Sequence, residues 1–251
     1  MFERFLKRLS LSKYKDNFIL KGGFLLSSIM GINIRSTMDI DANITGMDFN
    51  EDEIKKLIIE VSSIDLQDNV KFIVDKQRPI KEDNEYGGYC YKLIGTFYNI
   101  VIPFSIDIST GDIITPRAIE YEYKTLLEDD YIKLFTYNYE TIIAEKLETV
   151  LIRSVANSRM KDFYDLFYFV TYKWSDVNKK LLCEAIQTTF EHRGTKNLLD
   201  NFDVIIGLIE NDESMYIRWE TYQNRFFYAR HINFKDIIEA IRKLKVYIFN
   251  D

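Results

Sequence analysis

The sequence predicts an α+β fold, with a mixed sheet in residues 1–137 and a helical bundle in residues 138–251. Three observations predict it. Breakers are scarce: 251 residues hold only 10 Gly and 3 Pro, well under the roughly 12% that ordinary proteins devote to the pair. This favours long helices over a many-turned strand sandwich. Two segments of the first half alternate strictly between apolar and polar residues, as half-buried strands do. From about residue 138 the apolar spacing turns helical almost without interruption. At 47% hydrophobic, the chain has the material for a sizeable core and is no candidate for disorder.

In the first half, Phe18 to Lys21 reads as a strand end that enters a short helix through Gly22 and Gly23. Met38 to Ile44 alternates: Met38, Ile40 and Ala42 take one face, and Asp39, Asp41 and Asn43 take the exposed one. Glu51 to Ile64 has helical spacing, with Ile54, Leu57, Ile58 and Val61 as its apolar face. Val70 to Val74 reads as a strand. Tyr89 to Phe97 and Ile100 to Ser109 form a hairpin turning near Tyr98 and Asn99. Its second arm sets Phe104, Ile106 and Ile108 against Ser105, Asp107 and Ser109. The second half reads as helices over Tyr139 to Val155, Asp162 to Thr171, Val177 to Phe190, Leu198 to Glu210, Glu213 to Tyr228 and Phe234 to Phe249, with Asn233 capping the last. The join near residue 137 has no linker composition, so the halves are expected to pack together.

Lys and Arg number 33 against 39 Asp and Glu, a formal charge of −6, which argues weakly against a general nucleic-acid coat. Cys90 and Cys183 lie far apart with no CxxC company. Reduced thiols and a cytoplasmic location are expected, not a disulfide framework or a zinc site. The charged start, Met1 to Arg8, lacks the apolar stretch of a signal peptide. The apolar run Val204 to Ile209 is far shorter than the ~20 residues that span a bilayer, so no membrane partner is expected.

The acidic pattern is the chemically informative one. Asp39 and Asp41 project from one face of a strand, where a carboxylate must be solvated, paired or bound to a cation. Asp107 points from the polar face of a later strand. Should that strand lie beside the first, three hard oxygen donors converge, which suits Mg²⁺ (or Mn²⁺) bridging a nucleotide's phosphates. Gly22 and Gly23 at a helix start would let backbone N–H groups approach phosphate oxygens. Each piece has a plainer explanation alone: a solvated strand face, an ordinary turn, a polar strand position.

Leu20-Lys21-Gly22-Gly23, then Gly31, Arg35-Ser36-Thr37 and Asp39-Ile40-Asp41, resemble the nucleotidyltransferase-like AbiEii/AbiGii toxin family, within the polymerase-β-type superfamily. Glu140 to Leu147 is similar to that family's lysine-bearing helix. Arg159-Met160-Lys161-Asp162-Phe163-Tyr164-Asp165-Leu166 resembles its basic, Lys-Asp, aromatic and Asp signature. The matches run in family order across residues 18–170. Gly23 stands where many superfamily members have Ser. The resemblance implies a toxin of a bacterial toxin–antitoxin or phage abortive-infection system that transfers a nucleotide from NTP to RNA, the tRNA 3′ end in some members, with a divalent metal and a cognate antitoxin. It implies catalytic roles for Asp39, Asp41, Lys146 and Asp162, and metal ligation by Asp39, Asp41 and, less securely, Asp107. It implies phosphate contacts from Gly22, Gly23, Arg35, Thr37, Lys146, Arg159 and Lys161. Asp162 would orient Lys146 or help to activate the attacking hydroxyl, so the helical domain would complete the active site.

Read without the family, Lys146 between Glu145 and Glu148 suits a solvated ion pair. Asp162 suits a helix first turn, Arg159 and Lys161 suit ordinary surface charge, and Arg35 suits a loop salt bridge. Two stretches are basic. Residues 1–21 carry Arg4, Lys7, Arg8, Lys13, Lys15 and Lys21; residues 218–245 carry seven cations interleaved with Trp219, Tyr222, Phe226, Phe227, Tyr228 and Phe234. Such stretches suit RNA or an amphipathic core helix with basic edges. Three competing readings are a HEPN-type ribonuclease through Arg225 and His231, a nucleotide-binding regulator without transferase activity, and a small-molecule nucleotidyltransferase of the antibiotic-modifying kind.

Overall fold

The computed structural model describes residues 1–31, 37, 39–80, 87–126 and 128–248. It divides the chain into two compact units: residues 1–112 with 118–137, and residues 113–117 with 138–251.

The first unit is a seven-stranded mixed sheet with three helices. Its elements are α1 (Phe2–Ser10), β1 (Phe18–Lys21), α2 (Gly22–Met30), β2 (Asp39–Ile44), α3 (Glu51–Ser62), β3 (Val70–Ile80), β4 (Gly88–Phe97), β5 (Ile100–Thr110), β6 (Ile119–Lys124) and β7 (Tyr131–Thr136). The strand order is β3-β4-β5-β2-β1-β7-β6. β2 runs parallel to β5 and antiparallel to β1, and β1 runs parallel to β7. Because side chains alternate across a strand, one face collects Leu20, Ile40, Ala42, Phe104, Ile106, Ile108, Tyr91 and Leu93, all buried. Helices cover that face: Phe5 of α1 meets Phe72 and Phe104 edge-on, and Ile54, Leu57, Ile58 and Val61 of α3 are fully buried. Asn50 caps α3 by accepting from Glu53 N at 3.0 Å.

The expected strand at Met38 to Ile44 is found over Asp39–Ile44; Met38 lies outside the described residues. Asn43, expected on an exposed face, is fully buried, because Asp112 lies over it and its Nδ2 donates to Asp112 O at 3.5 Å. The strand from Val70 runs on to Ile80 across an irregularity between Val74 and Lys76. Sequence reading missed α1, β6 and β7, although α1 spaces Phe2, Phe5, Leu6 and Leu9 as a helix does and β6 alternates Ile119, Tyr121 and Tyr123 with charged residues.

A buried arginine ties α1 to the sheet. Arg8 is 1% exposed, donates to both Asp68 carboxylate oxygens at 3.0 and 2.8 Å, and also donates to Ile64 O and Val70 O, each at 2.8 Å. Burial pushes the Asp68 carboxyl up, but Arg8 outweighs it and holds it below its usual range.

The second unit comprises α4 (Tyr139–Arg153), α5 (Met160–Tyr172), α6 (Lys179–His192), α7 (Asn197–Asp200), α8 (Phe202–Asn211), α9 (Glu213–Arg225) and α10 (Phe234–Arg242), with 3₁₀ turns at Ser154–Ala156, Phe227–Ala229 and Lys243–Tyr247. Helix α4 packs on α5 and α6, and α5 on α10. Asn138, Asn178 and Asp212 cap α4, α6 and α9 with their side-chain oxygens. Asn233 occupies the cap of α10 as expected, but its amide donates to Asp236 at 3.2 Å instead of accepting from the helix. The helix expected over Leu198 to Glu210 breaks at Asn201, giving α7 and α8. Among the described residues no helix is long and apolar enough to cross a membrane, and neither cysteine is in a disulfide.

Arg8→Met removes the guanidinium from Asp68, which keeps Val70 N and the 3.9 Å contact of Arg4, and takes the side-chain donor from Ile64 O and Val70 O. We expect it to cost about 3 kcal/mol in urea unfolding, the scale for breaking one side of a buried pair. A loss under about 1 kcal/mol, the scale of a surface pair, would refute this role.

Candidate active site

The parallel pairing of β2 and β5 decides the geometry of the acidic residues. Asp41 pairs with Asp107, and Asp39 pairs with Ser105. Paired residues share a face, so Asp39, Asp41 and Asp107 all project from the polar side of the sheet. On β1, Lys21 pairs with Asp41, and on β4, Cys90 pairs with Asp107. The result is one cross-strand row, Lys21, Asp41, Asp107 and Cys90, with Asp39 one step along β2. Burial pushes the Cys90 thiol up, and the neighbouring Asp107 carboxylate adds to the shift while Arg78 opposes it.

The two glycines are required by the carboxylate beside them. Gly22 has φ +62°, and a Cβ there would stand 2.2 Å from Asp41 Oδ2. Both the left-handed backbone and the close approach exclude a side chain. Gly23 N donates to Asp41 Oδ2 at 3.0 Å. The start of α2 therefore holds the Asp41 carboxylate with an N–H that sequence reading assigned to a phosphate. Thr37 sits against Gly23, where a Cβ would come 3.0 Å from its Oγ1, and that Oγ1 accepts from Asp39 N at 3.3 Å. Arg35 lies outside the described residues.

Asp39, Asp41 and Asp107 fit a hard divalent cation by donor type and register: three carboxylates on adjacent parallel strands, oxygen donors only. Asp107 Oδ1 is buried without a hydrogen-bond partner, a polar atom left for some further group. Among the described residues no three His, Cys, Asp or Glu side chains already stand close enough to hold a metal ion.

In the second unit, Lys146 of α4 is buried against two aspartates of α5. Its Nζ lies 2.8 Å from Asp162 Oδ1 and 2.7 Å from Asp165 Oδ2. The two aspartates are three residues apart, one helical turn, so both reach the same cation. Arg159 Nε stands 3.2 Å from Asp162 Oδ2. Burial works against the ammonium charge, but Asp162 and Asp165 outweigh it and hold Lys146 above its ordinary range. Burial likewise raises the Asp162 carboxyl, and Lys146 and Arg159 outweigh it, holding it below the usual carboxylate range. The plain reading of a solvated Lys146 pair with its helix neighbours is thus corrected. Glu145 and Glu148 instead bind Arg193, just past the end of α6, at 2.7 and 2.8 Å. Lys161 is exposed, and its charge also favours ionised Asp162. Asp165 was legible from its spacing to Asp162 but was given no role.

The two basic stretches are largely engaged. Arg4, Lys7, Arg8, Lys13, Lys15 and Lys21 all form ion pairs, with Glu128, Asp130, Asp68, Glu60, Glu120 and Asp112 respectively. Lys21 also meets Ser109 Oγ at 2.7 Å, and Tyr137 OH donates to the same Asp112 at 2.9 Å. Further on, Trp219 and Phe234 are core residues. Arg218 donates to Val155 O and Asn157 O, and Arg242 pairs with Glu210. Arg225 ends α9, and His231 lies in the turn before α10.

Lys146→Met takes the ammonium away from two buried carboxylates, leaving Asp162 its Arg159 contact, and we expect it to lower unfolding free energy at pH 7 by about 3 kcal/mol. Asp162 has a depressed folded value. Its stabilisation is therefore present above the unfolded Asp value of about 3.9 and is lost as pH falls through the folded one. The gap between wild type and variant should accordingly narrow below about pH 4. Urea titrations at neutral and acidic pH test this; an equal gap at both refutes it.

The fold is similar to the crystal structure of JHP933 from Helicobacter pylori, at 14% identity and a TM-score of 0.51, over 98% of this chain and 86% of that one. At that identity the likeness is one of fold. A second H. pylori chain, provisionally described as a nucleotidyltransferase, is 16% identical with a TM-score of 0.48, over 98% of this chain and 89% of that one. No curated protein matches the sequence. The family model described as nucleotidyl transferase AbiEii toxin, type IV toxin–antitoxin system, matches residues 4–240. That span takes in the carboxylate strands of the first unit and the Lys146 helix pair of the second, so the chain belongs to the AbiEii nucleotidyl transferase toxin family.

Proposed function

We propose that this protein moves a nucleotide from an NTP to the 3′-hydroxyl of an RNA, a tRNA end being the expected acceptor, with Mg²⁺ or Mn²⁺ bound. The observation that carries the reading is the β2–β5 register, which sets Asp39, Asp41 and Asp107 on one face. Asp39 and Asp41, joined by Asp107, would supply the oxygens that hold the cation. A divalent ion there neutralises charge on the phosphates and on the leaving pyrophosphate. The hydroxyl oxygen attacks the α-phosphorus, the bond to pyrophosphate breaks, and the hydroxyl proton passes to solvent.

The chain's own residues mainly position and neutralise, as this chemistry requires. Gly22 allows the close approach of Asp41, and Thr37 orders the entry to β2. Lys146 contacts phosphate in this scheme: an ammonium has three N–H donors, and two carboxylates hold it. Of the two roles considered for Asp162, its 2.8 Å contact with Lys146 supports orienting the lysine. Arg159 and Lys161 add positive charge at the start of α5. The type IV family implies an antitoxin partner, and the cytoplasm is the compartment in which NTP, RNA and reduced thiols coexist.

Incubation with each labelled NTP, Mg²⁺ and total RNA should place label in one RNA size class. Asp39→Ala and Asp41→Ala should each reduce labelling at least ~100-fold, the scale for loss of a charge-stabilising group. Undiminished labelling in both variants would sink the metal role. Label confined to a small acceptor would establish a small-molecule transferase, and tight NTP binding without transfer would establish a regulator.

A further inference from the structure

The polar face of the sheet continues beyond the carboxylates, and there it changes sign. Arg78 on β3 pairs with Cys90, and Lys76 pairs with Lys92. Cys90 and Lys92 pair in turn with Asp107 and Ser105 on β5, which pair with Asp41 and Asp39 on β2. Two parallel rows therefore cross the sheet, Arg78-Cys90-Asp107-Asp41-Lys21 and Lys76-Lys92-Ser105-Asp39, each cationic on β3 and acidic on β2. Lys76, Arg78 and Lys92 are all exposed.

Cys90 and Asp107 engage Arg78, but among the described residues nothing accounts for the two lysines. Like charges directly opposite on one face destabilise a sheet, yet Lys76 faces Lys92. Among the described residues neither lysine forms an ion pair, whereas the six cations of residues 1–21 all do. Edge protection accounts for part of it, since lysine and arginine on an edge strand block edge-to-edge pairing, and β3 is an edge. It does not account for Lys92, because β4 is flanked by strands on both sides. A phosphate between Lys76 and Lys92 would turn this repulsion into attraction.

We propose that Lys76, Arg78 and Lys92 form the track for the sugar-phosphate backbone of the RNA acceptor. The proposal rests on the transferase reading above. At a strand spacing of about 4.8 Å, Lys76 and Arg78 on β3 lie ~10–14 Å across the sheet from the carboxylates, and Lys92 on β4 lies between, ~5–10 Å from them. From β3 the distance is too far to serve the reacting phosphates of an NTP held at the carboxylates. It suits phosphates roughly two to four positions behind an RNA 3′ end, at 3.4 Å or more per phosphate. The stripe also offsets the repulsion that a carboxylate face exerts on a polyanion.

The test is fluorescence anisotropy of 5′-labelled deacylated bulk tRNA with the full chain, over a salt series, beside titration calorimetry with ATP and Mg²⁺. The triple variant Lys76→Gln, Arg78→Gln, Lys92→Gln should bind tRNA ~10-fold more weakly at low salt, with a log–log salt slope shallower by ~2. Its binding of ATP and Mg²⁺ should be unchanged. Lys76→Arg with Lys92→Arg should retain tRNA binding and shows whether charge is what matters. Unchanged tRNA affinity and slope in the triple variant would overturn the track. Wild type that binds ATP but no tRNA would overturn it too, and leave nucleotide binding standing. Stripe-dependent tRNA binding by a protein that transfers no nucleotide would sustain the track and sink the transferase reading.

Discussion

The pairing register of three neighbouring strands is the constraint on which the first unit depends. A strand alternates its side chains, so slipping β2 by one residue would move Ile40 and Ala42 out of the core and Asp39 and Asp41 into it. Burying those carboxylates would cost far more than the unit can supply. The apolar demand of one face thus locks the acidic arrangement of the other. The same register puts Asp41 against the start of α2, where Gly22 has left-handed backbone and no side chain can fit. Core packing and site geometry are two consequences of one ladder.

Two buried ion clusters show the same economy. Arg8 satisfies Asp68 and the carbonyls at the end of α3 and the start of β3. Lys146 is held by two aspartates one turn apart on α5. Buried ion pairs add little net stability over apolar residues of similar volume. What they add here is geometry: the first sets where β3 begins, and the second fixes one ammonium within a helix pair. A lysine that had to be sought among rotamers would lose the positioning that phosphoryl chemistry needs.

Much of this was readable from residue order. The alternation at Asp39 to Ile44, the four apolar positions of α3 and the hairpin of β4 and β5 follow from local periodicity, and the structure has them. The family signatures pointed to Lys146 and Asp162, and the chain belongs to that family. What stayed hidden was non-local or irregular. β6 and α1 carry local patterns, alternation with charge in the one and helical apolar spacing in the other, but the partners of β6 and β7 in the sheet are non-local, and α1 buries Arg8, a residue that periodicity counts as polar. The helix read across Leu198 to Glu210 breaks at Asn201, and no apolar spacing marks that break. Cations that looked available to RNA in residues 1–21 have carboxylate partners over a hundred positions away in some cases, such as Arg4 with Glu128.

Sequence alone settled the class of each half, because period is a local property of a strand or helix; burial is not, and Asn43 and Arg8, polar by type, lie inside. It also settled that Asp39 and Asp41 share a face, since that follows from spacing of two. Only the tertiary structure decided that Asp107 joins them, because β2 and β5 are far apart in the chain and their parallel pairing is set by the whole sheet. Only the tertiary structure decided that Lys146 meets Asp162 and Asp165 instead of its helix neighbours. It likewise brought Lys76 and Lys92 together on the face that carries the carboxylates. In each case the deciding quantity is a distance between segments, and a linear sequence has no term for it.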